Sequence, residues 1–357
     1  MRMKSKNIFK AALLIKPKSK LKIINNIQIP KLKRGQVLVK LAYSGVCYSQ
    51  IMEIDGLRGH DKYLPHLLGH EGSGKVIKLG KDVKKVKIND NVVLSWIKGK
   101  GLDVPGAIYK KNNLIINSGP ITTFGTYTVV SENRIFKVPK YYTMKEAVLF
   151  GCAIPTGAGM VFKNINSNKN NIISINGIGG VGLMSLLAAI SLNFKIIIAI
   201  DTNTLKLKLA KKIGATHIIN PKKESIKKTI SKITKNQGVD YGIDAAGKVA
   251  TIENTFSILN KKFGRCIFCS HPVFGQKIQI DPFELINGKK IEGSWGGSIN
   301  PDYDIFRIAK KFLKFKKHLN NIISKEYSLD NINKAIDDLR KGKVLRPLIV
   351  LDNNNEF

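Results

Sequence analysis

The sequence has 357 residues, of which 43% are hydrophobic, and a formal net charge of +35. The length suffices for two domains with separate cores, and no apolar run approaches the roughly 18 residues that a membrane-spanning helix needs. The 60 Lys and Arg residues are spread along the whole chain without an aromatic-interleaved basic segment. Composition therefore argues against a specific nucleic-acid partner and against a membrane protein.

The N-terminal residues and the cysteines favour a cytoplasmic protein. The apolar run at 11–15 is too short for the hydrophobic core of a secretory signal. A disulfide framework for a chain of this length would need more than the four cysteines present, Cys47, Cys152, Cys266 and Cys269. In a reducing compartment, cysteines with a function most often bind metal or act in catalysis.

Short alternating runs predict a β-rich region over the first 150 residues. Residues 97–118 are rich in Lys, Gly and Asn and are predicted to form a loop. A short helix is predicted from Met144. The strands are predicted at 9–14, 36–42, 74–79, 91–96, 124–130 and 134–138.

Three residues of metal-ligand type lie beside glycines in this β-rich region. Cys47 follows Gly45-Val46, His70 lies within Gly69-His70-Glu71-Gly72, and Cys152 follows Gly151. Thiolate and imidazole are ligands that zinc prefers, and glycine lets the backbone approach a crowded centre. Taken singly, the histidine could lie in an ordinary turn and each cysteine could be inert packing. Taken together, the three predict a Cys2His zinc site with a fourth position open for water or substrate.

A different pattern begins at residue 171, where apolar strands alternate with helices. This alternation indicates a parallel sheet with crossover helices. After about Gly297, two helices are predicted at 303–315 and 329–341, before a last strand at 345–351. The sheet strands are predicted at 171–175, 196–200, 217–219, 239–245 and 265–268.

The glycine-rich stretch at 177–182 follows the first of these strands and begins a helix. Asp201 ends the next strand, 24 residues beyond Gly177. This context is typical of a dinucleotide-binding loop, in which glycines admit the pyrophosphate and the helix N-terminus favours its charge. Asp201 can accept hydrogen bonds from ribose hydroxyls and would repel a 2'-phosphate, so NAD is predicted rather than NADP. The alternative is an ordinary turn followed by an Asp at a strand end.

With these motifs the chain resembles a zinc-containing alcohol dehydrogenase of the medium-chain dehydrogenase/reductase family, over nearly its whole length. The most specific piece is Gly69-His70-Glu71-x-x-Gly74, with Gly80 and Val83 beyond it. A Cys2His ligand set is the one known for alcohol dehydrogenases. The resemblance implies an α/β fold with two domains. A GroES-like, β-rich catalytic domain would comprise 1–153 and 297–357, and a Rossmann NAD-binding domain would comprise 154–296.

The resemblance also implies roles for the residues of the catalytic site. Cys47, His70 and Cys152 would bind one zinc ion, and Glu71 would lie behind the metal as an occasional ligand. Ser49 would take the proton of the alcohol. The substrate pocket would be lined by Trp96, Thr156 and His271.

For the cofactor, the resemblance implies a second set of contacts. Val181 would pack behind the nicotinamide ring, and Arg346 would reach the pyrophosphate. Asn203 and Lys206 would assist Asp201 at the adenosine ribose. The loop itself would be formed by Gly177, Gly179, Gly180, Val181 and Gly182.

The function implied is a zinc-dependent, NAD-linked alcohol dehydrogenase, in which zinc acts as a Lewis acid and the alcohol carbon delivers a hydride to NAD. Its partner would be a small alcohol or aldehyde, and the chain would form a homodimer or homotetramer through 278–280. Residues 122–130 and 282–285 look closest to glutathione-dependent formaldehyde dehydrogenase, so S-(hydroxymethyl)glutathione is the second candidate substrate. A zinc-free quinone reductase of the same superfamily and a polyanion-binding protein that retains the fold are less favoured functions.

Several positions depart from the family pattern. Residues 97–118 contain no cysteine, so a structural zinc is not expected and one metal per chain is predicted. Gln50 stands where a carboxylate commonly supports the histidine ligand, Met52 where a histidine often relays the proton, and Tyr48 where a basic residue often binds phosphate. Cys266 and Cys269 form a C-x-x-C on a predicted strand, where they would point to opposite faces and serve as packing.

Overall fold

The structure is a computed structural model that describes residues 7–168 and 170–352. The chain forms two compact units. The first unit comprises the described residues up to Cys152, 300–306 and the described residues from Leu319 onwards. The second unit comprises 153–299 and 307–318. Among the helices of the described residues, none combines the length and the apolar character that crossing a bilayer requires. Residues 307–318, which the sequence assigns to the catalytic domain, lie in the second unit, where Phe312 packs against Phe162.

The described residues contain eighteen strands and eleven α-helices. The strands are β1 (Ile8–Leu14), β2 (Lys22–Gln28), β3 (Gln36–Gly45), β4 (His66–Leu67), β5 (Glu71–Leu79), β6 (Asn91–Ser95), β7 (Ile108–Lys111), β8 (Leu114–Asn117), β9 (Tyr127–Ser131), β10 (Ile135–Lys137), β11 (Ile172–Asn176), β12 (Ile196–Ile200), β13 (His217–Ile219), β14 (Tyr241–Asp244), β15 (Arg265–Phe268), β16 (Lys290–Gly293), β17 (Lys325–Ser328) and β18 (Pro347–Val350). The α-helices are α1 (Tyr48–Ile54), α2 (Met144–Ala147), α3 (Ala153–Asn164), α4 (Gly180–Ser191), α5 (Thr204–Ile213), α6 (Ile226–Ile233), α7 (Val249–Ser257), α8 (Pro282–Ile286), α9 (Pro301–Phe312), α10 (Lys316–Ile322) and α11 (Ile332–Arg340). Short 3-10 helices lie at Glu132–Arg134, Val148–Gly151, Trp295–Ser298, Leu313–Phe315 and Leu329–Asn331.

The first unit is built from a closed barrel and a mixed sheet. The barrel has the strand order β1-β2-β7-β8-β4, and the sheet has the order β10-β6-β5-β3-β18-β17, with β9 also paired to β3. Strand β3 is paired on both edges. Both of its faces are covered, because Val37, Val39 and Leu41 lie in one apolar cluster and Leu38 lies in another. Its last residues lead directly to Cys47.

The C-terminal strand β18 completes the sheet beside that point. It pairs antiparallel with β3, with Leu348 opposite Gly45. The Val46 N–H donates to the Pro347 carbonyl at 3.0 Å. The backbone just before Cys47 is therefore fixed by residues from the far end of the sequence.

The second unit is a parallel six-stranded sheet with the order β13-β12-β11-β14-β15-β16, with helices between the strands. This arrangement confirms the Rossmann-type fold predicted from the alternation. The central strands consist mostly of isoleucine, and Ile173, Ile175 and Ile198 are fully buried. Asn203 is the N-cap residue of α5, where its side chain accepts from two backbone N–H groups. Gly214, with φ of +137°, is the C-cap residue.

The segment 97–118 is not the continuous loop that its composition predicts. It contains β7 and β8, which form an antiparallel hairpin in the barrel. The part before the hairpin is anchored by Glu132, whose Oε1 accepts from the Lys84 and Lys85 N–H groups at 2.6 and 2.7 Å and whose Oε2 accepts from the Leu102 N–H at 2.8 Å. Burial alone would raise the pKa of Glu132, but these backbone donors outweigh it and lower the pKa. A carboxylate thus fixes this segment.

Candidate metal centre and cofactor loop

Cys47 lies at the junction of β3 and α1, where it is the N-cap residue of the helix. His70 lies between β4 and β5, and Cys152 follows the short helix Val148–Gly151. The donor atoms of these three side chains all lie within 4.8 Å of one another. The structure therefore brings the three predicted ligands together within the first unit.

Charge is shared unequally between the two thiols. The hydrogen bond from Cys152 lowers the pKa of the Cys47 thiol well below its usual value, and the positive charge of Arg346 lowers it further. The same bond, together with burial, raises the pKa of Cys152. His70 Nε2 lies 3.2 Å from Cys152 Sγ, so this ring nitrogen is the one directed at the thiols. The lower pKa of the pair thus belongs to Cys47.

Glu71 and Arg346 form a buried ion pair beside these ligands. The Arg346 Nη1 atom lies 2.9 Å from Glu71 Oε1. The Arg346 side chain is 3% exposed and the Glu71 side chain is 0% exposed. A Cβ at Gly151 would lie 2.8 Å from the Glu71 Cβ, and a Cβ at Gly45 would collide with the Glu71 carboxylate. At Gly45 the Glu71 side chain leaves no room for a Cβ, and at Gly151 the Leu94 carbonyl oxygen, 2.4 Å from that Cβ, and Glu71 together leave none.

Helix α1 supplies the groups around the other ring nitrogen of His70. Gln50 is 1% exposed; its Nε2 contacts His70 Nδ1, and its Oε1 accepts from the Cys47 N–H at 3.0 Å. Ser49 Oγ lies 3.5 Å from the same Nδ1. On the other side, the ring of Trp96 meets the His70 ring edge to face, with centroids 6.4 Å apart. Met52 is half-buried on α1.

The donor set fits a zinc ion. Two cysteine sulfurs and one imidazole nitrogen are borderline-soft donors that suit Zn2+, and three protein ligands leave a position for substrate. Within residues 7–168 and 170–352, Cys47, His70 and Cys152 are the one group of three or more His, Cys, Asp or Glu residues that could hold a metal ion. Cys266 is fully buried on β15, and Cys269 lies just beyond the end of that strand.

The glycine-rich loop of the second unit has the geometry that a bound pyrophosphate needs. Gly177 has φ of +90°, and a Cβ there would lie 2.7 Å from the Ala246 nitrogen, so the position requires glycine. Gly179 is the N-cap residue of α4, and a Cβ there would meet nothing within 4 Å. The start of the helix is therefore open to an anion.

Asp201 connects this loop to the next helix. Its Oδ2 accepts from the Ile178 N–H at 2.7 Å, and its Oδ1 accepts from the Asn203 N–H at 2.8 Å. Asn203 in turn accepts from the Leu205 and Lys206 N–H groups. Each carboxylate oxygen of Asp201 keeps a lone pair that a ribose hydroxyl can use. The residues present thus fit a dinucleotide.

The other predicted residues differ in how far they are buried and in what they contact. Thr156 is buried on α3, and its hydroxyl has no hydrogen-bond partner within the described protein. His271 is exposed, and its Nδ1 lies 2.7 Å from the Pro272 carbonyl. Val181 and Lys206 are half-buried. The predicted contact between Arg346 and the pyrophosphate stays a prediction; in this structure Arg346 pairs with Glu71.

Two features of the site were missed from sequence. The sequence indicates that Gly45 and Gly151 lie next to cysteines, but it does not indicate that Glu71 packs against them. The ion pair between Glu71 and Arg346 joins residues far apart in the sequence, and no local pattern marks it. The only signal in the sequence was the presence of glycines one or two residues before each cysteine ligand.

Comparison with known proteins gives consistent findings. Residues 33–140 match the family model "Alcohol dehydrogenase GroES-like domain", and 180–313 match the model "Zinc-binding dehydrogenase". The S-(hydroxymethyl)glutathione dehydrogenase of Photobacterium damsela subsp. piscicida is 28% identical, over 95% of this chain and 99% of that protein. The S-(hydroxymethyl)glutathione dehydrogenase of Synechocystis is also 28% identical, over 91% of this chain and 95% of that protein. Among solved structures, benzyl alcohol dehydrogenase from Acinetobacter calcoaceticus is similar with a TM-score of 0.86 and 29% identity, over 97% of this chain and 99% of that one.

Replacing Arg346 by Met should destabilise the first unit. The change removes the guanidinium that faces the buried Glu71 carboxylate, so we expect a loss of about 3–5 kcal/mol in the free energy of unfolding. Urea unfolding followed by tryptophan fluorescence measures it, in a Trp295→Phe background where Trp96 of the first unit is the remaining tryptophan. The double change of Arg346→Met with Glu71→Gln should recover part of the loss. A loss below about 1 kcal/mol would contradict the importance of the pair.

Proposed function

The chain belongs to the zinc-containing alcohol dehydrogenases of the medium-chain dehydrogenase/reductase family, and we propose that it interconverts an alcohol and its aldehyde with NAD as the hydride acceptor. The enzyme class is that of an NAD-linked oxidoreductase acting on alcohols. The observation that carries the proposal is the cluster of Cys47, His70 and Cys152, whose donor atoms lie within 4.8 Å of one another.

In this proposal Cys47, His70 and Cys152 hold the metal. When bound there, zinc supplies a Lewis acid that lowers the pKa of an alcohol oxygen. The two thiols give up their protons to bind it, and the positive charge of Arg346 favours the thiolate at Cys47. Ser49, whose Oγ lies 3.5 Å from His70 Nδ1, is proposed to accept the alcohol proton. Glu71 is proposed to lie behind the ligands and to approach the metal occasionally.

The second unit is proposed to hold the cofactor, which supplies the hydride acceptor when bound. The open N-terminus of α4 at Gly179 supports binding of the pyrophosphate. Asp201 is proposed to accept from the ribose hydroxyls, assisted by Asn203 and Lys206. The family resemblance supplies the remaining roles. Val181 would pack behind the nicotinamide and Arg346 would contact the pyrophosphate. The substrate pocket would be lined by Trp96, Thr156 and His271.

A second candidate substrate is S-(hydroxymethyl)glutathione. The curated relatives named for this activity match over more than nine-tenths of the chain. At 28% identity, however, they support a substrate class rather than a particular substrate. The reaction is the same in both cases, because a hydroxymethyl carbon gives up a hydride.

We place the enzyme in the cytoplasm, since Cys47 and Cys152 are free thiols and must remain reduced to bind metal. Cell fractionation tests this placement.

Self-association is proposed on the basis of an apolar surface of the second unit. The surface comprises Phe274, Phe283 and Ile286, which are 73%, 64% and 80% exposed. It lies in the stretch between β15 and the edge strand β16, which includes the predicted pairing segment 278–280. That segment is not a strand in the structure. Large apolar side chains that are exposed in a segment leading to the edge strand of a sheet are typical of interfaces between copies of a chain. We therefore propose a homodimer or homotetramer.

Loss of zinc should abolish the activity. We expect Cys47→Ser, or removal of the metal with a chelator, to lower kcat/KM by about a thousandfold or more, because Lewis-acid catalysis is worth several kcal/mol. NADH absorbance with a panel of alcohols and aldehydes measures the rate, with and without glutathione in the formaldehyde assay. Cys269→Ser is the matched control and should retain activity. Activity that survives in Cys47→Ser protein without zinc would contradict the proposal.

Replacing Asp201 by Ala should weaken NAD binding. The change removes the acceptor for the ribose and releases the Ile178 N–H, so we expect the Kd for NADH to rise about tenfold or more. Titration of NADH fluorescence measures the Kd, and zinc content should stay unchanged because Asp201 is not near the metal ligands in the sequence. An unchanged Kd would contradict the role of Asp201. A wild-type chain that does not bind NADH at all would favour a polyanion-binding protein that retains the fold.

Charged residues in the apolar surface should dissociate the oligomer. Sedimentation equilibrium should give two or four times 39.6 kDa for the wild type and a monomer mass for Phe283→Glu with Ile286→Lys. Leu205→Glu is the matched control, because Leu205 is 75% exposed but lies on α5. A monomeric wild type would refute the proposed assembly.

A further inference from the structure

A cavity of about 750 Å3 opens on the surface of the first unit, and none of the three proposed metal ligands lines it. Its volume is within the roughly 300–1,000 Å3 that small-molecule sites occupy. Its wall contains the apolar residue Leu102 and seven charged residues. The cations are Arg34, Lys84, Lys85 and Lys100, and the carboxylates are Asp82, Glu132 and Asp302. The ligand that such a wall accepts depends on which of these charges remain unpaired.

Two of the carboxylates are held by donors of the wall itself. Glu132 is 3% exposed, and its two oxygens accept from three backbone N–H groups at 2.6, 2.7 and 2.8 Å. Asp302 accepts from the Lys100 N–H at 2.5 Å and lies 2.7 Å from Lys85 Nζ. The Lys85 ammonium also donates to the Lys100 carbonyl at 3.1 Å and lies 4.0 Å from the centre of the Phe136 ring. Lys85 therefore balances Asp302, and hydrogen bonds stabilise the charge of Glu132.

The other three cations retain N–H groups that a ligand can use. For the Lys84 ammonium, the described part of the chain provides no ion pair or hydrogen bond. Arg34 binds Asp82 through its Nε at 2.7 Å, which leaves the N–H groups of both terminal nitrogens. Lys100 Nζ lies 2.6 Å from the Tyr303 hydroxyl and forms no ion pair with a carboxylate of the described residues. The cavity therefore has an excess of positive charge that its own carboxylates do not neutralise.

We propose that this cavity binds a small organic phosphate. A phosphate group offers three strong acceptor oxygens and a charge of about −1.5 to −2 at pH 7, whereas a carboxylate offers two oxygens and a charge of about −1. Three cations with available N–H groups, Arg34, Lys84 and Lys100, match the larger charge and the third oxygen. Hydrogen bonds between charged groups of this kind are stronger than those between neutral groups. The organic part of the ligand lies against Leu102.

Lysine footprinting of the wild-type protein tests the site without a substitution. An amine-reactive reagent modifies exposed lysines, and peptide mass spectrometry gives the rate at each one. At a phenyl phosphate concentration about four times its Kd, we expect the rates at Lys84 and Lys100 to fall about fivefold, because only about one-fifth of the sites are then free. Lys78 and Lys87 are internal controls, since they are exposed on the same part of the chain but do not line the cavity. Their rates should not change.

A matched pair of double variants tests the same site by calorimetry. Arg34→Met with Lys84→Met removes two cations of the cavity, and Lys78→Met with Lys87→Met removes the same charge outside it. We expect the Kd for phenyl phosphate to rise about tenfold or more in the first, because hydrogen bonds from charged groups are lost. The second should change it by less than about threefold, since salt screens charges outside the cavity. Phosphate bound elsewhere on the chain contributes equally to both variants, so their difference isolates the cavity.

Uniform binding along the chain would overturn the site: equal protection of all four lysines would mean that net charge alone explains the binding. No protection at Lys84 and Lys100, or the same Kd in the two double variants, would also overturn it. Inorganic phosphate should protect more weakly than phenyl phosphate, and equal protection would replace the organic ligand by free phosphate. None of these results depends on zinc or NAD, so the cavity can fail as a site while the proposed function holds, and the reverse.

Discussion

The buried ion pair between Glu71 and Arg346 is the interaction on which the metal centre depends. A carboxylate with no exposed surface requires a cation close by, because an isolated charge in the interior costs many kcal/mol. Glu71 also shapes its surroundings: it leaves no room for a Cβ at Gly45, and together with the Leu94 carbonyl it leaves none at Gly151. Each glycine lies within two residues of a cysteine ligand. The backbone next to Cys47 and Cys152 is therefore packed against Glu71.

The same pair balances the charge of the site in the proposed function. Two thiolates and the Glu71 carboxylate carry three negative charges, and a zinc ion with Arg346 carries three positive ones. A neutral total allows the centre to be buried without a further counter-ion. Metal binding and the ion pair are thus coupled. Removal of the zinc ion or of the Arg346 charge leaves a net negative charge among groups that are mostly buried. Gln50 is uncharged, so it leaves this balance unaltered.

Much of the fold could be predicted because its signals are local. Gly177 and Asp201 lie at the ends of consecutive buried strands, and the alternation of strands and helices around them identifies the second unit. The hairpin of β7 and β8 could not be predicted, because only Tyr109 and Ile116 are buried in it. The lysines and asparagines between them obscure the alternation of apolar and polar residues that marks a strand. The three metal ligands could be proposed from their residue types and flanking glycines. The partners of Glu71 and Gln50 could not, because they depend on contacts between segments distant in sequence.

The pairing of β18 with β3 has a consequence for the order of events during synthesis. The backbone before Cys47 is held by Pro347, and the cation beside Glu71 is Arg346. The second unit, by contrast, draws most of its residues from one continuous stretch, 153–299. A chain leaving the ribosome therefore has all three proposed metal ligands long before it has the strand that holds the backbone before Cys47. A metal ion bound at that stage is held by an incomplete sheet. The second unit can fold before the last strand of the first unit has been synthesised.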